Sequence, residues 1–233
     1  TAAYVTVTGQ LGFDCIIAST GYHAVSHAPG STIISLEGGS TNLDLGRLQK
    51  QHRRTPFQGV IATDDSVVEI AAALTERLRL PGNSVEAVRR TCRKDLLKKA
   101  LLNSPVLSPK GFEVGLDRPY ESQILFASYP CVAKPLTLSA SRGVIRADNS
   151  EQLKAALARI WRLIQKEGED DYPVALVEQF ISGKEIAVEG LLSDGDLSTL
   201  AIFDKPIPLN GPYFEETIYV TPSALSETKQ QEV

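Results

Sequence analysis

A chain of 233 residues, 42% hydrophobic and 22% charged, holds enough apolar side chain for one large core or two ordinary ones, which excludes a disordered polypeptide and a staple-dependent miniprotein. Its formal charge of −4 argues against a nucleic-acid surface as its main business, and no apolar run nears the roughly 18 residues that a bilayer span needs. Cys15, Cys92 and Cys131 are odd in number and scattered through apolar sequence, so they read as free, buried thiols in a reducing, cytoplasmic compartment.

No signal peptide is visible, and the chain starts at Thr1 and contains no methionine, so a longer reading frame is expected. Residues 3–8, Ala-Tyr-Val-Thr-Val-Thr, have strand propensity but also suit the end of a helix, and sequence alone leaves the two open. Phe13 to Ser19 reads as a strand, followed by a loop with His23, His27, Pro29 and Gly30 and a short strand from Thr32 to Leu36. His23 and His27 have a helical metal-ligand spacing, yet the proline, the glycine and the lack of an acidic neighbour favour a loop over a zinc site. Gly59 to Thr63 reads as a further strand. Ser66 and Glu69 then form a capping box for a helix that buries Val67, Ile70, Ala71, Leu74 and Leu78 and stops at Leu80-Pro81-Gly82. Short strands alternating with helices predict a parallel α/β domain over residues 1–83, and without a Gly-x-Gly-x-x-Gly run it carries no dinucleotide fingerprint.

Residues 84–126 read as connecting helices, with Val85 to Leu102 helical and basic along Arg89, Arg90, Arg93, Lys94, Lys98 and Lys99, a pattern whose default is a solvated face. The most informative stretch is 130–143. Cys131, Val132 and Ala133 suit a buried strand that sets Lys134 at its end, and the loop after it is small and polar. Ser139, Ala140, Ser141 and Gly143 let backbone N–H groups approach a ligand, while the hydroxyls and Arg142 add donors for anionic oxygens, so a triphosphate is the expected guest. Val144 to Ala147 is the return strand. Asp148 and Glu151 form a second capping box for a helix with Leu153, Ala156, Leu157, Ile160, Trp161 and Ile164 on one face, ending at Gly168. Pro173 to Ile181 is a strand carrying Glu178, and residues 185–192 pair with 197–203 across Asp194-Gly195. Lys205-Pro206 and a strand-like Tyr213 to Val220 lead to a polar tail, so the last domain is expected to be cut at Val233.

Lys134, the 139–143 loop and the run Val177-Glu178-Gln179-Phe180-Ile181-Ser182-Gly183-Lys184-Glu185 together resemble the ATP-grasp superfamily, in particular its carboxylate–amine ligases of the L-amino-acid ligase, glycinamide ribonucleotide synthetase and biotin carboxylase type. The resemblance covers nearly the whole chain. It implies an α/β domain with a parallel sheet, then an α+β ATP-grasp fold with a lid subdomain over 127–181 and the start of an incomplete C-terminal subdomain over 182–233. It also implies roles. Lys134 resembles the lid lysine on the α- and β-phosphates, and Ser139, Ser141, Arg142 and Gly143 the flap over the β- and γ-phosphates. Glu178 sits where the family places a carboxylate by the adenine amino group, with the strand edge at Gln179, Phe180 and Ile181 along the ring. Glu185 resembles the ribose carboxylate and Lys205 a further lysine near the γ-phosphate. Lys94 resembles a basic residue reaching the phosphates from the preceding helix, although the family's Asp-Lys order is inverted here as Lys94-Asp95.

The family's Mg²⁺ ligands would fall beyond Val233, and Glu215 and Glu216 belong by the same resemblance beside the substrate rather than the metal. The expectation is an ATP-dependent ligase joining a small carboxylate to an amine, with ATP and Mg²⁺, no nucleic-acid or membrane partner, and residues 1–233 alone binding nucleotide weakly and turning over nothing. A non-catalytic nucleotide-binding regulatory module and an ATP-grasp phosphotransferase are the alternatives.

Overall fold

The computed structural model describes residues 2–20, 32–37, 41–168, 172–215 and 218–233, so His23, His27 and Glu216 lie outside the described residues. The chain divides into two compact units, Thr1–Cys92 and Arg93–Val233.

The first unit begins with α1 (Ala2–Gln10), which settles the ambiguity at residues 3–8 in favour of a helix. The Thr8 hydroxyl donates to the Tyr4 carbonyl at 2.8 Å, a back-bond that lets a threonine fit a helix. β1 (Ile16–Ser19) and β2 (Thr32–Ser35) pair in parallel, Ile16 opposite Thr32. They are followed by α2 (Thr41–Arg54), a 3₁₀ turn at Asp65–Val67, α3 (Val68–Leu78) and α4 (Val85–Cys92). Leu36, Leu45, Leu48 and Leu74 form the core, and Val60 packs on it. Gly59 to Thr63 is not a strand: Val60 packs on the core while Ile61 is exposed, and strand propensity does not act without a pairing partner. The expected capping box also moves. Asp64, not Ser66, is the cap, accepting from the Ser66 N–H at 3.0 Å ahead of the 3₁₀ turn.

The basic stretch from Val85 to Leu102 is two helices rather than one. Arg93 is extended (φ −107°, ψ 110°) and separates α4 from α5 (Lys94–Leu101). A four-stranded sheet follows in the order β3–β6–β4–β5, with β3 at Gly111–Gly115, β4 at Cys131–Pro135, β5 at Ile145–Ala147 and β6 at Val174–Gln179. Every neighbouring pair is antiparallel. Between β5 and β6 runs α6 (Ser150–Glu167), whose Leu153, Ala156, Leu157, Ile160 and Ile164 pack with Val114, Cys131, Ala133, Ile145, Ala147, Ala175 and Val177 into one core, with Trp161 partly buried at its margin. Its cap is Asn149, which accepts from Gln152 N–H at 3.0 Å, while Gln152 Oε1 accepts from Asp148 N–H at 2.7 Å; the expected Asp148–Glu151 box is displaced by one residue. Gly168 ends the helix at φ 71°.

β7 (Ile186–Ser193) and β8 (Asp196–Asp204) form the expected hairpin, with Asp194 at φ 53° and Gly195 at φ 92° giving the primed turn. Among the described residues of Tyr213 to Val220 no strand forms; isolated bridges join Tyr213 to Ile145 and Val220 to Asp204. α7 (Glu227–Gln231) closes the described chain. Among the described residues no helix is long and apolar enough to cross a membrane.

Candidate functional site

The period-two alternation of a strand divides the four-stranded sheet into two faces. Phe112, Val114, Cys131, Ala133, Ile145, Ala147, Ala175 and Val177 pack with α6. The residues between them, Glu113, Val132, Lys134, Arg146, Leu176 and Glu178, belong to the other face, and register sets Val132 between Arg146 and Glu178. One face is a core and the other carries charge. That is why Lys134 follows a buried run without itself joining the core.

At the centre of the charged face stands Glu178, whose side chain is only 8% exposed. Lys134 Nζ pairs with its Oε2, and Lys98 Nζ approaches its Oε1 at 3.0 Å. Lys98 Nζ also donates to the Pro109 carbonyl. Burying a carboxylate is costly unless it is paired and hydrogen-bonded, and here each oxygen has its own ammonium. Gly111 opposes Glu178 across the β3–β6 register, and a Cβ there would lie 2.7 Å from Glu178 Cγ and collide with the Val177 carbonyl, so only glycine fits.

α5 brings two lysines to this region. Its start is fixed by Arg93, whose Nε and Nη2 hold Asp95 at 2.9 and 3.1 Å and whose guanidinium lies 4.1 Å from the Tyr172 ring centre. Burial tends to raise the Asp95 pKa, but the Arg93 hydrogen bonds and charge, with Lys99, leave it below the usual carboxylate value. Lys94 then donates from Nζ to the Leu138 carbonyl at 2.7 Å, and its backbone N–H to Leu136 at 3.2 Å, so it stands at the root of the serine-bearing loop. The inverted Lys94-Asp95 order still delivers an ammonium there, because Asp95 turns back to Arg93.

The loop itself is a tight left-handed turn. Ala140, Ser141 and Gly143 have φ of 53°, 56° and 75°, and Val144 N–H donates to the Ser141 carbonyl at 3.1 Å. Two successive non-glycine residues in this region cost about 1 kcal/mol each or more, a cost a ligand-binding loop tolerates better than a plain connection would. Ser139 and Ser141 are half-buried. Arg142 turns away: its Nη1 pairs with Glu167 Oε2 at 2.8 Å at the end of α6, so the flap as it stands offers hydroxyls and backbone rather than a guanidinium.

Beyond Glu178, Gln179 N–H donates to the Lys110 carbonyl at 2.8 Å and Phe180 N–H to Pro130 at 3.1 Å. Phe180 lies under the Arg146 guanidinium at 4.4 Å and against Phe214 at 6.4 Å, while Ile181 is 64% exposed. Glu185 pairs with Lys205, and the Lys205 side chain, only 8% exposed, lies 5.5 Å from the Tyr219 ring centre. The structure thus brings Lys134 to Glu178, Lys94 to the loop root and Lys205 to Glu185. Sequence reasoning missed Lys98 as part of the first group. Its signal was the four-residue spacing from Lys94, which puts both on one side of α5.

A cavity of about 700 Å³ lies elsewhere, lined by residues such as Arg146, Gln152, Arg159, Arg162, Pro212 and Tyr213, and includes none of the expected nucleotide residues. Among the described residues no group of three His, Cys, Asp or Glu side chains is placed to hold a metal ion.

Residues 127–233 match the family described as an ATP-grasp domain. Alanine–anticapsin ligase of Bacillus subtilis is 25% identical over 181 residues, 70% of this chain and 37% of that protein, so the chain spans little more than a third of the curated relative's length. The crystal structure of L-amino acid ligase from Bacillus licheniformis superposes with a TM-score of 0.76 at 23% identity, covering 95% of this chain and 52% of that one. The biotin carboxylase domain of the Hydrogenobacter thermophilus 2-oxoglutarate carboxylase, a complex with MgADP, ADP and bicarbonate, gives 0.73 at 15% identity, covering 99% and 52%.

Proposed function

We propose that the protein is an ATP-dependent carboxylate–amine ligase, a reading supported by the match of residues 127–233 to the ATP-grasp domain family. The observation that supports this reading most is the meeting of Lys134 and Glu178 on the charged face of the sheet, with Lys94 at the root of the glycine- and serine-bearing turn. In it, Lys134 and Lys94 hold the phosphates, and Ser139, Ser141 and Gly143 offer the flap's hydroxyl and backbone donors, with Arg142 joining them on release from Glu167. Glu178 and the chain leaving β6 at Gln179, Phe180 and Ile181 take the adenine end, Glu185 the ribose and Lys205 the γ-phosphate.

In the proposed reaction a carboxylate oxygen attacks the γ-phosphorus, the bond to the β-bridging oxygen breaks, and ADP leaves an acyl phosphate. An amine then attacks the acyl carbon, loses a proton and displaces phosphate. The chain's own contribution is to position the reactants and neutralise the phosphate charge with fixed ammonium groups and loop dipoles. The substrates of relatives, alanine with anticapsin among them, point to an amino-acid or peptide-like carboxylate.

The test is ADP release by the full-length protein, assayed over a panel of carboxylates with and without amines. Release that needs both, with an amide product, is the expected result, and Lys134→Ala should reduce it by at least about a hundredfold. ADP without amide would make the protein a phosphotransferase, nucleotide binding without release a regulatory module, and an unchanged rate in Lys134→Ala would remove that residue from the mechanism.

A further inference from the structure

Glu178 makes contact with more positive charge than it needs. Both of its oxygens are occupied, Oε1 by Lys98 at 3.0 Å and Oε2 by Lys134, and all three side chains are largely withdrawn from water, at 18%, 24% and 8% exposure for Lys98, Lys134 and Glu178. The two lysines reach the carboxylate differently. Lys134 rises from β4 within the sheet that carries Glu178, whereas Lys98 comes from α5 and is anchored a second time by the Pro109 carbonyl. Lys98 is doubly held, by Glu178 and by the Pro109 carbonyl, whereas Lys134 stands four residues before Leu138, whose carbonyl Lys94 holds.

A lysine bound to a buried carboxylate is not available to a phosphate. If Lys134 were the sole counter-ion of Glu178, moving it to a nucleotide would leave a nearly buried carboxylate without a cation, and that loss would be charged against binding. With Lys98 in place the carboxylate keeps one ammonium throughout. We infer that Lys98 is a positioning residue of the nucleotide site, holding Glu178 neutralised and oriented so that Lys134 can pass from Glu178 to the phosphates. This rests on the reading of Lys134 as a phosphate ligand given above. Lys98 itself touches no phosphate in this account, which separates it from Lys94 one helical turn away.

The consequence is selective. Removing the charge at 98 should penalise ligands that draw Lys134 off Glu178 and spare ligands that have no phosphate. Lys98→Gln keeps a donor for the Pro109 carbonyl while removing the charge, and Lys98→Arg restores the charge. Kd for ADP and for adenosine is measured by calorimetry on the full-length protein and these variants, with thermal unfolding as the control for folding. The expected result is ADP binding weakened about tenfold in Lys98→Gln, adenosine within about twofold of wild type, and Lys98→Arg close to wild type for both. Equal weakening of ADP and adenosine would mean a purely structural role, and unchanged ADP binding would mean no role; either overturns the inference. Should Lys98→Gln fail to fold, Lys98→Met takes its place with the same expected result, and Lys98→Arg binding ADP as weakly as Lys134→Ala would overturn the inference. Wild-type chain that binds neither ligand, or Lys134→Ala that binds ADP as wild type does, would instead sink the reading of the site on which the inference stands.

Discussion

Cys131 begins β4 with 1% of its surface exposed, and burial, with the nearby Asp148 charge, pushes its thiol up to about 11. At neutral pH its thiolate fraction is therefore smaller than that of an ordinary cysteine by about two orders of magnitude, before access is considered. Native-state alkylation followed by peptide mapping should label the partly exposed Cys15 and Cys92 first and Cys131 only on unfolding; equal rates would contradict the burial. Gly111 is the second residue whose surroundings dictate its identity. Gly111→Ala should destabilise the second unit by roughly 2 kcal/mol or more, because the added carbon meets the Val177 backbone and Glu178, and a urea midpoint equal to wild type would count against that packing. At this scale the sequence was legible wherever chemistry and chain order coincide: Lys134 and the small loop after it are consecutive, so their joint purpose could be read. Lys98 was not, because its partner Glu178 is 80 residues away and its four-residue spacing from Lys94 suits a solvated basic helix face equally well.

Elements were legible where a periodic apolar pattern met a matching cap or turn, as in α6 and the β7–β8 hairpin. They were misread where one signal stood without the other. The β-branched run in α1 has strand propensity but takes helix, and Val60 with Ile61 has propensity without a partner strand. The break at Arg93 lies inside a pattern that looks continuous, because what stops the helix is the pairing of Arg93 with Asp95 and Tyr172 rather than a proline or glycine. α6 gives the clearest test of an element's end: Asn149→Ala removes the acceptor for Gln152 N–H and should cost about 1 kcal/mol by urea denaturation, whereas Asp148→Ala, which leaves that acceptor in place, should cost less. β8 holds the following segment through Asp204, whose carboxylate accepts from Ala224 N–H at 2.9 Å and the Ser223 hydroxyl at 2.8 Å and pairs with Lys184 at 3.1 Å. The Ala224 and Ser223 hydrogen bonds, opposed by burial and aided by Lys184, hold its pKa below the usual value. A depressed carboxylate stabilises above its unfolded pKa and ceases to do so as pH falls through its folded one. Amide exchange at Ala224 should therefore stay slow, after correction for intrinsic rates, at neutral pH and quicken below about pH 4. Asp204→Asn should flatten that dependence, and a pH-independent protection in wild type would contradict it.

On the scale of the whole molecule, the second unit is a sheet with one face closed by α6 and the other left charged, and the chemistry proposed follows from that asymmetry. The ATP-grasp resemblance was legible because the residues that carry it, Lys134, the 139–143 loop and the 177–185 run, lie in one stretch of chain, and residues 127–233 match that family's model. Which carboxylate and amine the protein joins was not, since the residues that choose them are not distinguished by order or spacing in this chain. The most direct measurement is labelling with an acyl-phosphate derivative of ATP, which transfers its acyl group to lysines beside the phosphates, followed by peptide mapping with and without excess ATP. ATP-protected acylation at Lys134 and Lys94 is the predicted result, while protected labelling confined to lysines away from the sheet's charged face, such as Lys50, Lys154 or Lys229, would contradict it.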